Sequence, residues 1–382
     1  MQLNLDSGTG REGPGDRRGR VPPARFVRGR QRKLEELAHR RGNRVRPNGS
    51  SSRFPGTARL TAGLAAIFRG NGTPNAGVTV LHRQRNPYES TFATEIVTCR
   101  VGGNGTPLRL FIKYGTKRFD GVFGHRGDVW YEARVYRDVL RPLGTSTPTF
   151  YGVYRDGTPV VPWLVIEYLK GGIQTRNSRD PKAMVRAAQW IGRFHAANQR
   201  RVPSERLKFL RTYDEAYYAG WARRTKELFA HMKKRYPWLL PLCDDFGTFI
   251  PRLLEAPRTV IHGEYFGVNI IYQNGTSWPA DWQSAAIAPG EIDLASLTHS
   301  WPRPIVRRCE REYRRSRWPE GAPDDFTEIL EAARVYMNLR WLGDPGLMTP
   351  RFGPGGRPMI PKRAKKFIED LHAVGERLGL IE

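Results

Sequence analysis

Cysteine is scarce in this chain: Cys99, Cys243 and Cys309 are odd in number and far apart in 382 residues, which excludes a disulfide framework and a closely spaced zinc site. A reducing cytoplasm is the expected setting. No stretch approaches eighteen uninterrupted apolar residues, so no membrane-spanning helix is expected. The N-terminus is rich in Arg and Gly and has no apolar h-region, which argues against a secretory signal. Acidic residues are few as well, with 37 Asp and Glu against 63 Lys and Arg, a formal charge of +26. Against these shortages stand an aromatic content of 11% and an apolar content of 39%, sufficient for a folded core. The length fits one large or two smaller domains.

The positive charge is uneven. Residues 1–60 hold fifteen Arg or Lys and five Asp or Glu amid Gly and Pro. We read residues 1–58 as a mobile basic arm adding little to any core. Such an arm can meet nucleic acid or an anionic surface through non-specific electrostatics, although only Phe26 interrupts its arginines as a stacking residue.

Beyond the arm, Val78–Leu81, Phe92–Val101 and Leu108–Tyr114 are β-branched and aromatic, and Gly102 to Gly105 between the last two is a hairpin signal. Asp128–Leu140 places Val129, Ala133, Tyr136 and Leu140 on one helical face. Thr149–Tyr154 and Val160–Tyr168 complete a small sheet carrying one helix. From Asp180 onward helical periods dominate, interrupted by strand-like Thr259–His262, Val268–Tyr272 and Ser277–Trp282. The expectation is a two-lobed α+β enzyme, with an N-lobe over 59–168 and a helical C-lobe over 169–382.

One segment carries chemistry. Val260-Ile-His-Gly-Glu-Tyr-Phe-Gly-Val-Asn-Ile-Ile-Tyr272 is followed nine residues later by Asp281-Trp-Gln283. A buried strand delivers His262, Gly263 and Glu264 into a loop, with Asn269 five positions on and Asp281 ending the next hairpin strand. Phosphoryl transfer needs such parts: an acceptor that orients the attacking hydroxyl, and an Asn and an Asp oxygen that hold a divalent ion against the phosphates. Oxygen ligands suit Mg²⁺ and not zinc.

These residues resemble small-molecule kinases of the aminoglycoside phosphotransferase and choline kinase type, a branch of the protein-kinase-like fold. That family's loop reads His-Gly-Asp with Asn five positions on, followed by a strand ending in Asp-Trp or Asp-Phe. The run Ser284 to Ser296, with Asp293 opening a helix, is similar to the family's stretch after the metal Asp. The resemblance spans residues 75–345 in order of elements, with sharp motif identity over 260–296. It implies a small antiparallel-sheet N-lobe with one main helix and a larger, mostly helical C-lobe. It further implies ATP and Mg²⁺ as cofactors, Glu264 as the catalytic carboxylate, and Asn269 and Asp281 as catalytic metal ligands. Upstream it implies Lys113 on the phosphates, Glu132 holding that lysine, and a hinge at Glu167 and Tyr168 whose main chain bonds the adenine.

Three departures accompany the match. Glu264 replaces the usual Asp and is longer by one methylene. No Gly-x-Gly-x-x-Gly precedes the second strand, leaving Ser90 and Thr91 to offer hydroxyls and N–H groups to the phosphates. Gln283 stands where many relatives carry an acid, and no role follows for it. His262 reads as a backbone-bonding residue, His195 as a core histidine, and Trp190, Trp221, Trp301 and Trp341 as packing.

The expected activity is in-line transfer of the ATP γ-phosphoryl group to a hydroxyl of a small molecule. Acidic pairs for a polycationic acceptor are limited to Asp244-Asp245 and Asp324-Asp325, while 303–317 holds seven arginines against two glutamates. A sugar, amino alcohol or natural-product intermediate is expected in preference to a polyamino sugar. The alternative is a catalytically inactive kinase-like module whose basic arm binds nucleic acid or a protein partner.

Overall fold

The computed structural model describes residues 54–72, 77–87, 91–103, 105–116, 119–157, 160–348, 351–352 and 358–381. The arm expected over 1–58 and the hydroxyl of Ser90 therefore lie outside the described residues, apart from 54–58. Those five already belong to the fold: Phe54 meets the Tyr114 ring edge-on at 5.7 Å, and helix α1 runs Thr57–Gly70.

Strands β1 (Val78–Arg85), β2 (Ala93–Val101), β3 (Leu108–Tyr114), β4 (Phe150–Asp156) and β5 (Val161–Glu167) form one antiparallel sheet in the order β1-β2-β3-β5-β4. The expected β2–β3 hairpin is present, with Ala93 opposite Tyr114 and Gly102 at φ 73° in its turn. Both faces of this sheet are covered. Leu110, Ile112, Trp163 and Val165 pack with Leu60, Leu64, Ile67 and Phe68 of α1. The alternate residues Leu164 and Ile166 pack with Val129, Ala133 and Tyr136 on the opposite side. Double coverage explains why β3 and β5 read as near-continuous apolar runs. Sequence patterning predicts one helix on the sheet; α1 is the second, and its Leu60, Leu64, Ile67 and Phe68 keep a helical period.

The main helix α2 (Val129–Arg134) starts at Asp128, whose carboxylate accepts the Tyr131 N–H at 2.9 Å, and it continues as a π-helical stretch over Val135–Leu140. Arg201 donates to the Asp138 and Val139 carbonyls there at 2.9 and 3.1 Å.

Past β6 (Ile173–Gln174) the chain is mostly helical: α3 (Ala183–Gln199), β7 (Arg211–Thr212), α4 (Glu215–Phe229), α5 (Leu239–Asp245) and α6 (Ile250–Glu255). Next come β8 (Arg258–Ile261), β9 (Ile270–Gln273), β10 (Thr276–Pro279) and β11 (Ala286–Pro289). The chain ends in α7 (Glu291–Thr298), α8 (Arg303–Arg317), α9 (Phe326–Leu342) and, later, α10 (Lys362–Arg377). β9 and β10 make a hairpin through Asn274 and Gly275, both at positive φ, the pair a two-residue turn of this hand requires. That turn sets Ile270 opposite Pro279, so the Ala280 N–H bonds the Asn269 carbonyl at 2.9 Å. Asn269 and Asp281 thereby emerge together from the open end of one hairpin.

Asp128→Ala removes the cap of the helix that carries Glu132 and should lower unfolding stability by about 1 kcal/mol, read from the urea midpoint.

Candidate active site

Lys113 leaves β3 on the face that packs α2, and its ammonium is almost completely buried. Nζ donates to Glu132 Oε2 and to Asp281 Oδ1, each at 2.6 Å. The other Glu132 oxygen accepts the Trp282 N–H at 3.2 Å. Burial alone would lower the lysine pKa, but the Asp281 and Glu132 carboxylates outweigh it and raise the pKa above the ordinary value. The three groups therefore join sheet, helix and β9–β10 hairpin around one fixed positive charge. Asp281 holds φ 67° and ψ 58°, a left-handed conformation that a non-glycine residue adopts at a cost of about 1 kcal/mol or more. Gln283 acts through its main chain. Its carbonyl accepts the Gly127 N–H at 2.6 Å, tying the chain after Asp281 to the start of α2.

The loop after β8 is clamped by Asp293. Its two carboxylate oxygens accept the His262 N–H at 2.6 Å and the Gly263 N–H at 2.9 Å, and His195 Nε2 lies 3.1 Å away. Burial lowers the His195 pKa, so the neutral ring donates to Asp293 and accepts at Nδ1 from Tyr313. His262 donates Nε2–H to the Ala280 carbonyl at 2.9 Å and faces the Glu264 N–H with Nδ1 at 3.3 Å. Both histidines thus serve the architecture, as their sequence context suggested. Gly263 has φ 82°, and a Cβ there would sit 2.1 Å from the Ser284 carbonyl oxygen.

Glu264 has surroundings that no motif announced. Its Oε1 accepts from Arg126 Nη2 at 2.7 Å, Arg126 Nε at 3.1 Å and Arg340 Nη2 at 2.9 Å, with His125 Nε2 at 3.3 Å. Burial pushes the carboxyl pKa up, yet the two guanidiniums prevail and hold it well below the usual carboxylate range. Burial and Arg340 bring the His125 pKa down to about 3, so this ring is a neutral donor, with Nδ1 facing Tyr217 Oη at 2.7 Å. Among the described residues Oε2 has no partner. Arg340 had a legible signal: in α9 it falls on the buried stripe of Phe326, Ile329, Ala333 and Met337, and a charge on an apolar stripe needs a buried counter-charge. His125 and Arg126 offered none.

Asn269 donates Nδ2 to the Glu264 carbonyl at 2.9 Å, which turns its Oδ1 the opposite way. Asn269 Oδ1 and the second Asp281 oxygen, free of Lys113, are hard-oxygen donors of the kind Mg²⁺ or Ca²⁺ takes. Among the described residues no group of three or more His, Cys, Asp or Glu could hold a metal.

At the expected hinge the Glu167 N–H donates to the Thr149 carbonyl and the Tyr168 N–H to the Arg109 carbonyl, each at 2.9 Å. Those two amides are occupied by neighbouring strands. The Glu167 carboxylate is held by the Thr149 hydroxyl at 2.8 Å, and Arg109 stacks over the Tyr168 ring at 4.5 Å. Thr91 lies exposed between β1 and β2. A surface hollow of about 560 Å³ bordered by Tyr136, Leu140 and Phe150 touches none of the residues around Lys113 or Glu264.

A small antiparallel sheet joined to a helical body through a buried lysine, a helix glutamate and a hairpin aspartate defines a protein-kinase-like fold. The model of the phosphotransferase enzyme family matches residues 126–323, and the chain belongs to that family. Among solved structures, the GDP complex of wild-type aminoglycoside 2'-phosphotransferase-IIIa superposes with a TM-score of 0.52 at 11% identity, over 82% of this chain and 98% of that one. Amicoumacin kinase hAmiN, in complex with AMP-PNP, Ca²⁺ and Ami, gives 0.52 at 14% identity, over 80% and 89%. Choline kinase LicA from Streptococcus pneumoniae gives 0.52 at 13%, over 81% and 98%. At such identities the likeness establishes the fold. No curated protein matches the chain, and no helix among the described residues is long and apolar enough to cross a membrane.

Gly263→Ala forces the clash with Ser284 and should lower unfolding stability by roughly 2–3 kcal/mol, measured by thermal denaturation against the parent.

Proposed function

We propose that this phosphotransferase moves the γ-phosphoryl group of ATP to a hydroxyl of a small molecule. The observation that carries the reading is the buried Lys113 ammonium shared at 2.6 Å by Glu132 and Asp281. A buried ammonium so fixed is a rigid positive point for phosphate oxygens, with one of its three protons unclaimed. Asn269 and Asp281 would hold Mg²⁺, which when bound neutralises charge on the phosphates. Glu264 would orient the acceptor hydroxyl with the unpartnered Oε2 while its other oxygen stays anchored. With the Glu167 and Tyr168 amides occupied, adenine recognition falls to the Glu167 carbonyl and the Leu169 N–H.

The cage around Glu264 also bears on the acceptor. Its negative charge is already met by two guanidiniums, and Asp244, in one of the two acidic pairs, is bound by Lys226 at 2.6 Å. The neutralised charge of Glu264 offers a polycation little attraction at the reacting position, which supports a neutral or anionic hydroxylated acceptor.

A thermal-shift panel tests the reading: Mg·ATP should raise the melting temperature by several degrees, and absence of any nucleotide shift together with no ATP consumption would overturn it. Asp281→Ala should abolish the Mg²⁺-dependent part of that shift. Glu264→Ala should leave the shift intact while turnover falls by about 10²-fold or more; undiminished turnover would remove Glu264 from the chemistry.

The pH dependence carries its own sign. A carboxyl whose pKa is depressed in the folded protein stays ionised as pH falls from 8 to 5, so no acid limb from Glu264 should appear there. Arg126→Gln removes one guanidinium, lets the pKa rise and should bring an acid limb into view in kcat against pH. Identical profiles for parent and variant would contradict the assignment.

A further inference from the structure

The helices α8 and α3 present a basic surface whose arginines contact none of Lys113, Glu132, Glu264, Asn269 or Asp281. On α8, Arg303, Arg307, Arg308, Arg311, Arg314 and Arg315 are all exposed. At 3.6 residues per turn they fall within an arc of about 140°, while Cys309, Tyr313 and Arg317 are buried on the other side. Of the two carboxylates of α8, one answers this row and only at its C-terminal end. Glu310 turns to α9, where Arg334 holds it at 2.5 Å. Glu312 sits in the seam with α3, where it accepts from Gln189 at 2.9 Å and lies 3.4 Å from Arg315 and 3.9 Å from Arg311. Arg303, Arg307 and Arg308 make no ion pair among the described residues.

The row continues across the seam. α3 contains no Asp or Glu, and its exposed Arg193 and the adjoining Arg200 at its C-terminus stand seven residues apart, also without ion pairs among the described residues. The seam itself is tight: Gly192 of α3 approaches α8 so closely that a Cβ would lie 2.8 Å from the Tyr313 carbonyl oxygen. Arginines four apart on one helix repel each other, so the row is destabilising by itself until an anion lies against it.

We propose that the α8–α3 face docks, without sequence preference, on the phosphate backbone of a nucleic-acid duplex. Guanidinium groups bind phosphates in a bidentate manner, and a duplex offers one negative charge per about 1.7 Å of its axis. A fifteen-residue helix, about 22 Å long, can therefore lie along several phosphates at once. The outward arc of α8 carries no aromatic side chain and no aliphatic group larger than Pro304. It thus lacks the rings that stack on single-stranded bases and the anchors that insert into a membrane surface.

The test is fluorescence anisotropy of the full-length protein with a 20-base-pair RNA duplex and the DNA duplex of the same sequence, between 50 and 200 mM salt. Binding to either duplex with a steep negative dependence of log K on log salt is expected. The full-length variant Arg307→Ser/Arg308→Ser/Arg311→Ser should keep the parent melting temperature and ATP consumption. It should bind at least tenfold more weakly at 100 mM salt, with a slope shallower by about 2.7. Parent-like binding by that variant would overturn the proposal. So would a loss confined to the full-length variant Arg17→Ser/Arg18→Ser/Arg20→Ser, which would place the contact on residues 1–58. Failure of the parent to bind at 50 mM salt, or binding to phosphatidylserine vesicles with none to duplex, would also overturn it. Because the readout is binding, none of these outcomes depends on the phosphotransfer reading.

Discussion

The buried ammonium of Lys113 is the constraint on which the rest of this structure hangs. An isolated cation in that position would be strongly disfavoured, and the position is tolerable only because Glu132 and Asp281 each sit at 2.6 Å. Each partner has its own requirement. Glu132 needs α2, which needs the Asp128 cap, and Asp281 needs the β9–β10 hairpin whose register the Asn274-Gly275 turn sets. Three separate local structures are thereby made mutually dependent. The Trp282 N–H on Glu132 and the Gly127 N–H on the Gln283 carbonyl repeat the coupling through the main chain.

A second carboxylate, Asp293, plays the corresponding role for the loop. It is buried and satisfied by two backbone N–H groups and a neutral histidine, an arrangement that fixes the path of residues 262–264. Glu264 then reaches a basic cage and not open water. Arg126 and Arg340 anchor one oxygen of this side chain, which is one methylene longer than the Asp of the resembling family. Held below the usual carboxylate range by the two guanidiniums, such a carboxylate is a weak proton acceptor.

Much of this was legible before any coordinates. Leu108–Tyr114 is a strand over those same residues because its apolar positions face helices on both sides. The pairing of Lys113 with Glu132 followed from the resemblance, since strand and helix carry the two residues in the family's order. Less was legible where charge, not periodicity, organises the chain. The run 303–317 was noted for its arginines and not placed as a helix, because its buried stripe is reduced to Cys309, Tyr313 and Arg317. At the segment expected to form the hinge, the Glu167 and Tyr168 amides are occupied by the Thr149 and Arg109 carbonyls, partners that depend on which strands end up adjacent.

By itself the sequence determined the order of elements, the turn that brings Asn269 and Asp281 together, and the residue types available for phosphate and metal chemistry. Those features arise from periodicity, turn preference and spacing, which act within a few residues. Only the tertiary structure decided that Arg126 and Arg340 enclose Glu264, that α1 covers the outer face of the sheet, and that α3 continues the arginine face of α8. Each of these joins segments far apart in the chain: burial forces charges to find partners and apolar faces to find cover, and only the packed molecule says which ones they find.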